Sequence, residues 1–235
     1  MTPRRKGILL VGAIVFATWN VAYFSILRSW HQRWGATPAE LAASLPGDAL
    51  FPETTGQVTH AVTINAAPEE VWPWLMQIGQ DRSGFYSYTP FENMFRCEMP
   101  KVEKIVPEWP ARVHGETVWF CTPKHYGGSG KMIAAVVDPQ RAFAMVPPED
   151  WQRIQAGGVA EEGLWEFALQ PVGPRQTRLI ARVRGGPPKS VTQHLAGLFF
   201  WEPAHFVMER KMLLTIKKLA ERDAVIRSAQ SYGLR

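Results

Sequence analysis

The sequence predicts an α+β fold: a curved antiparallel sheet wrapped on a long C-terminal helix, preceded by one N-terminal transmembrane helix. Three observations carry this expectation. Six segments with β-type patterning, 58–64, 117–121, 131–137, 141–146, 164–170 and 177–184, are separated mostly by glycine- and proline-rich turns rather than by regular crossover helices. His205, Met208, Met212, Ile216 and Leu219 recur at steps of three and four, which marks an apolar stripe on a helix from Pro203 to about Arg222. An uncharged apolar run occupies residues 7–27.

That run, GILLVGAIVFATWNVAYFSIL, is about 21 residues long and at 1.5 Å per residue spans roughly 30 Å, the thickness of a bilayer's hydrocarbon core. Tyr23, Trp30 and Trp34 sit near its far end, where interfacial aromatics anchor a span. A cleaved signal peptide with a small-residue site at Val15 and Ala17 is the alternative. The run continues well past Ala17, so the sequence reads as a retained single-pass membrane anchor, with a slight lean to a non-cytoplasmic domain from Arg4, Arg5 and Lys6 against Arg28 and Arg33. The expected organisation is an anchor and flanks over 1–33, a linker over 34–56, a folded domain over 57–223 and a tail over 224–235.

Length and composition agree with one domain. The chain has 235 residues, 46% hydrophobic and 20% charged, enough for a sizeable core and too little for two ordinary domains. The net charge of +5 is concentrated at the start: five basic residues precede Glu40, the first acidic one, and the other 21 basic residues face 21 acidic ones. A basic footprint for nucleic acid is therefore absent from the folded part.

The first strand places Val58, His60, Val62 and Ile64 on one side. The stretch 67–88, APEEVWPWLMQIGQDRSGFYSY, follows as the organising segment. Pro68 suits the first helical position, Glu69 and Glu70 suit the positive end of the helix dipole, and Val71, Trp74, Leu75 and Ile78 define an apolar face. Pro73 interrupts the hydrogen-bond ladder, and Gly79 is a candidate stop. In 89–95 a capping box is expected, with Thr89 as N-cap, Pro90 first and Glu92 third. On the sixth strand Arg178, Arg182 and Arg184 share a face that reads as solvated. Phe200, Val207 and Leu214 form a second seam on the C-terminal helix, a candidate outer contact.

The order of these features, a first strand running into PEEVWPWLMQIGQDRSGFYSY, then PEW at 107–109, WEF at 165–167, TRL at 177–179 and FVMERKML at 206–213, resembles the SRPBCC superfamily of START-like and polyketide-cyclase or lipid-transport-like domains over roughly residues 36–222. The resemblance implies a helix-grip fold with a cavity for a hydrophobic ligand between sheet and C-terminal helix. Related domains usually carry Asp-Trp-Leu-Glu-Asn where this chain has Thr89-Pro90-Phe91-Glu92-Asn93, so one carboxylate is missing here.

The candidate cavity residues are Trp72, Tyr86, Tyr88, Glu92 and His114, with Trp119, Trp165, His205, Met208 and Met212. Tyr86, Tyr88, Glu92, His114 and His205 are the groups able to orient a polar end of a ligand or to move a proton. Each also has a plain structural reading: Glu92 as a cap, the tyrosines as buried rings, the methionines as ordinary core. The six histidines show no metal-ligand spacing, no phosphate loop or nucleophile elbow is present, and neither metal nor cofactor is expected. Cys97 and Cys121 read as small buried hydrophobes, with pairing the alternative in an oxidising space. The expected partners are a hydrophobic small molecule or lipid, and a membrane through residues 7–27. Function reads first as membrane-tethered binding or transport of that molecule. A cyclase-, dehydratase- or hydrolase-like enzyme and a non-binding interaction module are the two alternatives.

Overall fold

A computed structural model describes residues 23–233 continuously, with side chains through residue 230, together with positions 5, 7, 10–12, 14, 15, 18 and 21. Among the described residues six strands form one sheet in the order β1-β6-β5-β4-β3-β2, every neighbouring pair antiparallel. They are β1 Gly56–Ile64, β2 Thr117–Trp119, β3 Lys131–Asp138, β4 Ala142–Val146, β5 Gly163–Gly173 and β6 Gln176–Gly185. The long C-terminal helix, Glu202–Gly233, lies across the inner face and touches β1 and the central helix Pro68–Met76. This is the helix-grip arrangement.

The central helix forms for the reasons its sequence suggests. Glu70 reaches back to accept the Ala67 amide at 2.9 Å, which satisfies an orphan donor of the first turn. Its apolar face then enters the core, where Trp74, Leu75 and Ile78 are fully buried with Phe143, Phe167 and Ile216. Gly79 ends the segment at φ +130°, where a Cβ would stand 2.6 Å from the Arg112 guanidinium, so both conformation and space require glycine.

The outer face of the sheet is covered too, by the stretch expected to be a linker. Leu45 packs with Ala61, Ala168 and Ile180, and Phe51 is buried beside Ala144 and Leu164. This cover corrects the reading of β6. Arg182 is not solvated but fully buried, donating to Asp48 at 2.5 Å and to the carbonyls of Ala43 and Glu40 at 2.8 and 2.6 Å. Arg178 clamps Glu40 through two hydrogen bonds of 2.6 and 2.9 Å. Charges that alternation alone assigns to water are here used to fasten a segment more than a hundred residues away in sequence.

The membrane assignment is also corrected. Among the described residues no helix is long and apolar enough to cross a membrane, so a single-pass localisation is not upheld. Residues 8, 9, 13, 16, 17, 19, 20 and 22 of the apolar run lie outside the described residues. Its last part, Tyr23–Leu27, is a wide helical turn against the domain: the Tyr23 hydroxyl donates to the Leu198 carbonyl at 3.1 Å and the Phe24 ring meets Phe199 edge-on. Cys97 and Cys121 are joined in a disulfide, so the reading as two independent buried thiols gives way to the alternative.

Candidate functional site

Between the inner face of the sheet and the C-terminal helix lies a cavity of about 710 Å³. Its wall is almost wholly apolar. Phe85, Phe120 and Trp165 form an aromatic cluster at one side, with ring centroids 4.8 to 5.8 Å apart. Met208 and Met212 contribute the helix side, and the Cys97–Cys121 disulfide borders it. A shallower apolar groove of about 600 Å³ adjoins it, sharing Phe91, Phe200, Ala204 and Met208.

Five of the ten residues singled out in the sequence, Glu92, Trp165, His205, Met208 and Met212, line this cavity. The other five lie elsewhere. Trp72 is buried in the core, and Tyr86 is buried with its hydroxyl on the Trp74 carbonyl at 3.1 Å. Tyr88 lines the adjoining groove. The His114 ring meets Trp151 edge-on at 4.7 Å, and the Lys131 ammonium sits 5.2 Å over the Trp119 ring. Of the second seam, Phe200 and Val207 line the groove, whereas Leu214 packs against the core.

Glu92 does not cap its helix. In the short helix Thr89–Met94 the N-cap is Tyr88, whose carbonyl accepts the Glu92 amide at 3.1 Å, and no side chain caps the start. The residue lines the cavity instead, with Oε2 buried and without a hydrogen-bond partner among the described residues. Burial pushes Glu92 up to about 7, so near neutrality it holds its proton part of the time and acts as donor as well as acceptor.

The second polar group is one that periodicity passes over. Glu209 sits one turn after His205 on the C-terminal helix, buried on the cavity wall. Oε1 accepts the Trp165 indole N–H at 2.6 Å and lies 3.4 Å from His205 Nε2, an ion-pair separation without a formed hydrogen bond. Oε2 bonds His60 Nδ1 from β1. His60 Nε2 meets the His31 backbone carbonyl at 2.6 Å; that oxygen only accepts, so Nε2 carries a proton and one further proton lies between Nδ1 and the carboxylate. Burial works against the Glu209 charge, but His205 and His60 outweigh it and hold the carboxyl well below the usual range. Burial likewise opposes the His205 imidazolium, and the Glu209 carboxylate more than offsets it, so His205 lies above its ordinary value. His205 is deep, yet 34% of its side chain stays open, on a cavity wall.

The signal for Glu209 was in the sequence as the i,i+4 partner of His205 and the one acid inside FVMERKML. Its use depends on His60, which is 149 positions away. No group of histidine, cysteine, aspartate and glutamate able to hold a metal occurs among the described residues.

No family model matches the sequence, and no curated protein matches it. Among solved structures the chain is similar to the Aha1 dimer from Colwellia psychrerythraea, at 18% identity and TM-score 0.38 over 70% of this chain and 99% of that one. It is also similar to the Polyketide_cyc-like protein Cgl2372 from Corynebacterium glutamicum, at 16% and 0.36 over 74% and 95%. A third is protein CV1439 from Chromobacterium violaceum, at 13% and 0.39 over 70% and 96%. These likenesses, all below a TM-score of 0.5, say nothing of ligand or activity.

Proposed function

We infer that this domain binds a hydrophobic small molecule or lipid in the cavity between sheet and C-terminal helix, with a polar group of the ligand set against Glu92. The observation that carries the reading is the cavity itself. A space of about 710 Å³ lies within the range of small-molecule sites and is lined by aromatic rings and the adaptable side chains of Met99, Met132, Met208 and Met212. A well-packed core has few voids larger than a water molecule, so an opening of this size is not a packing remainder. Glu92 supports the orientation. Its carboxyl makes no hydrogen bond among the described residues, and Glu92 lines the cavity, where a ligand hydroxyl, carbonyl or amide would supply a partner.

The test is native mass spectrometry of the full chain purified from cells, with solvent extraction of whatever co-purifies, followed by titration of the delipidated chain with a fluorescent fatty-acyl probe. A stoichiometric small molecule, or saturable uptake of the probe that Met212→Trp weakens, is the expected result. A chain that carries nothing and takes up no probe across several lipid and aromatic classes would refute the reading and favour an interaction module.

A further inference from the structure

The cavity holds more chemistry than a binding site for an apolar molecule needs. Tying β1 to the C-terminal helix requires one buried pair, His60 with Glu209, and that pair is complete. A second imidazole, His205, nevertheless stands beside the same carboxylate, stacked on His60 at 6.4 Å and edge-on to Trp165 at 5.8 Å, on the open wall of the cavity. Glu209 is fixed from two sides by His60 and Trp165, so its negative charge has a set direction towards His205. An imidazole whose one nitrogen faces a fixed carboxylate and whose ring borders a cavity has the arrangement of an oriented base. Glu92 lines the same cavity, and its carboxyl makes no hydrogen bond among the described residues.

We propose that the cavity is a proton-transfer site for a hydrophobic carbonyl compound, with His205 as the base that removes a proton from the carbon next to the carbonyl, Glu92 as the acid that protonates the carbonyl oxygen, and Glu209 as the residue that positions His205. This inference rests on the binding reading above and adds a reaction to it. The lone pair of neutral His205, at the nitrogen that Glu209 does not face, takes the proton. The C–H electron pair becomes the new carbon–carbon double bond, and the carbonyl π pair moves onto oxygen, which takes the Glu92 proton. The product is the enol, His205 is left as imidazolium beside the Glu209 carboxylate, and Glu92 is left as carboxylate. Return of a proton to either side of the enol regenerates both groups, so the balance is an isomerisation that needs no co-reactant. A carboxyl kept protonated by an apolar site is suited to donate to a carbonyl oxygen in this way.

The groups facing His205 fix the expected pH dependence. On its own helix the charged neighbour is Glu209, and from β1 it is His60; Glu202, one turn earlier, is paired with Arg28 at 2.8 Å. The active form needs neutral His205 and protonated Glu92. Because His205 is raised and Glu92 stands at about 7, the rate should follow a bell around neutrality.

The experiment uses the full chain and 2-tetralone, a compact apolar ketone with acidic protons next to its carbonyl. Deuterium uptake from D2O is followed by proton NMR, and binding of the same ketone by saturation transfer in the same tube. The expected result is exchange well above buffer, lowered at least about 100-fold in His205→Gln with binding kept. Glu92→Gln should slow exchange and abolish the fall on the alkaline side. In the Glu92→Gln background, where His205 alone of the two still titrates, Glu209→Gln should move the remaining midpoint to lower pH, because the carboxylate that raises His205 is gone; a merely structural role for Glu209 leaves that midpoint in place. His205 is only part-buried, so its variant remains informative if Glu209→Gln fails to fold. Binding without exchange above buffer, or exchange retained in His205→Gln, overturns the proton-transfer proposal and leaves the binding reading standing. Absence of both binding and exchange overturns the two together.

Discussion

His60 on the first strand and Glu209 on the C-terminal helix share a proton across the interior of the domain, through imidazole Nδ1 and carboxylate Oε2. Both side chains are out of solvent, at 0% and 1% exposure. A buried charge stripped of its partner is costly, whereas replacing both partners by apolar groups of similar volume need not be. His60→Leu is therefore expected to destabilise by about 3–5 kcal/mol, and the double variant His60→Leu with Glu209→Met to recover part of that loss, since the Trp165 indole N–H and His205 lose Glu209 as well. Denaturant unfolding of the four members of the cycle measures it; additive losses would mean that the two residues are not coupled.

Arg182 provides a second stability test. A solvated arginine on a strand is worth little, but this one is fully buried and holds Asp48 under the outer cover of the sheet. Arg182→Ala is expected to cost about 3–5 kcal/mol, as much as truncating the buried ring of Trp74. Melting temperatures for the two variants should fall together, and a near-neutral Arg182→Ala would remove the outer-face network from the account of stability.

Met212 is 1% exposed, yet it borders the cavity. The indole of Met212→Trp has open volume to enter. Uptake of a fluorescent fatty-acyl probe should drop several-fold while stability changes by less than about 1 kcal/mol. In a filled core the same substitution would overpack and cost about 1–3 kcal/mol, so paired unfolding and uptake curves distinguish the two cases.

Burial holds Glu92 at about 7, and Glu166 on the outer face as well. From about pH 4.5 to 7 the folded chain keeps protons that the unfolded chain has released, so stability contributed by these groups falls as pH rises. Glu92→Gln removes one of the two. It is expected to match wild type at pH 4 and to exceed it by roughly 1–3 kcal/mol at pH 8, read from urea midpoints at both pH values. A constant difference between the two chains across this range would show that Glu92 titrates normally.

Much of the architecture was legible because it is written in local periods. The strand segments, the helix opened by Pro68 and Glu70, and the stripe from His205 to Leu219 each depend on spacing along a few turns or pleats, and strands and helices form over those segments, although the C-terminal helix does not stop near Arg222 but continues through the expected tail to Gly233. His205, Met208 and Met212 fall on one helix face for the same reason, and all three line the cavity. What the tertiary structure decided are the contacts whose partners are remote. Arg182 looked solvated because alternation reports which face a residue takes, not what covers that face; the cover comes from Asp48, 134 positions away. Glu92 fitted a capping pattern, but its carboxyl took a place in a cavity formed by distant elements. Hydropathy measured residues 7–27 as long enough to span a bilayer, whereas their last turn is held by Leu198 and Phe199 from the other end of the chain. Glu209 acquires its role only when β1 brings His60 against the helix and β5 brings Trp165, since a carboxylate's charge and direction are set by the donors around it and not by its place in a repeat.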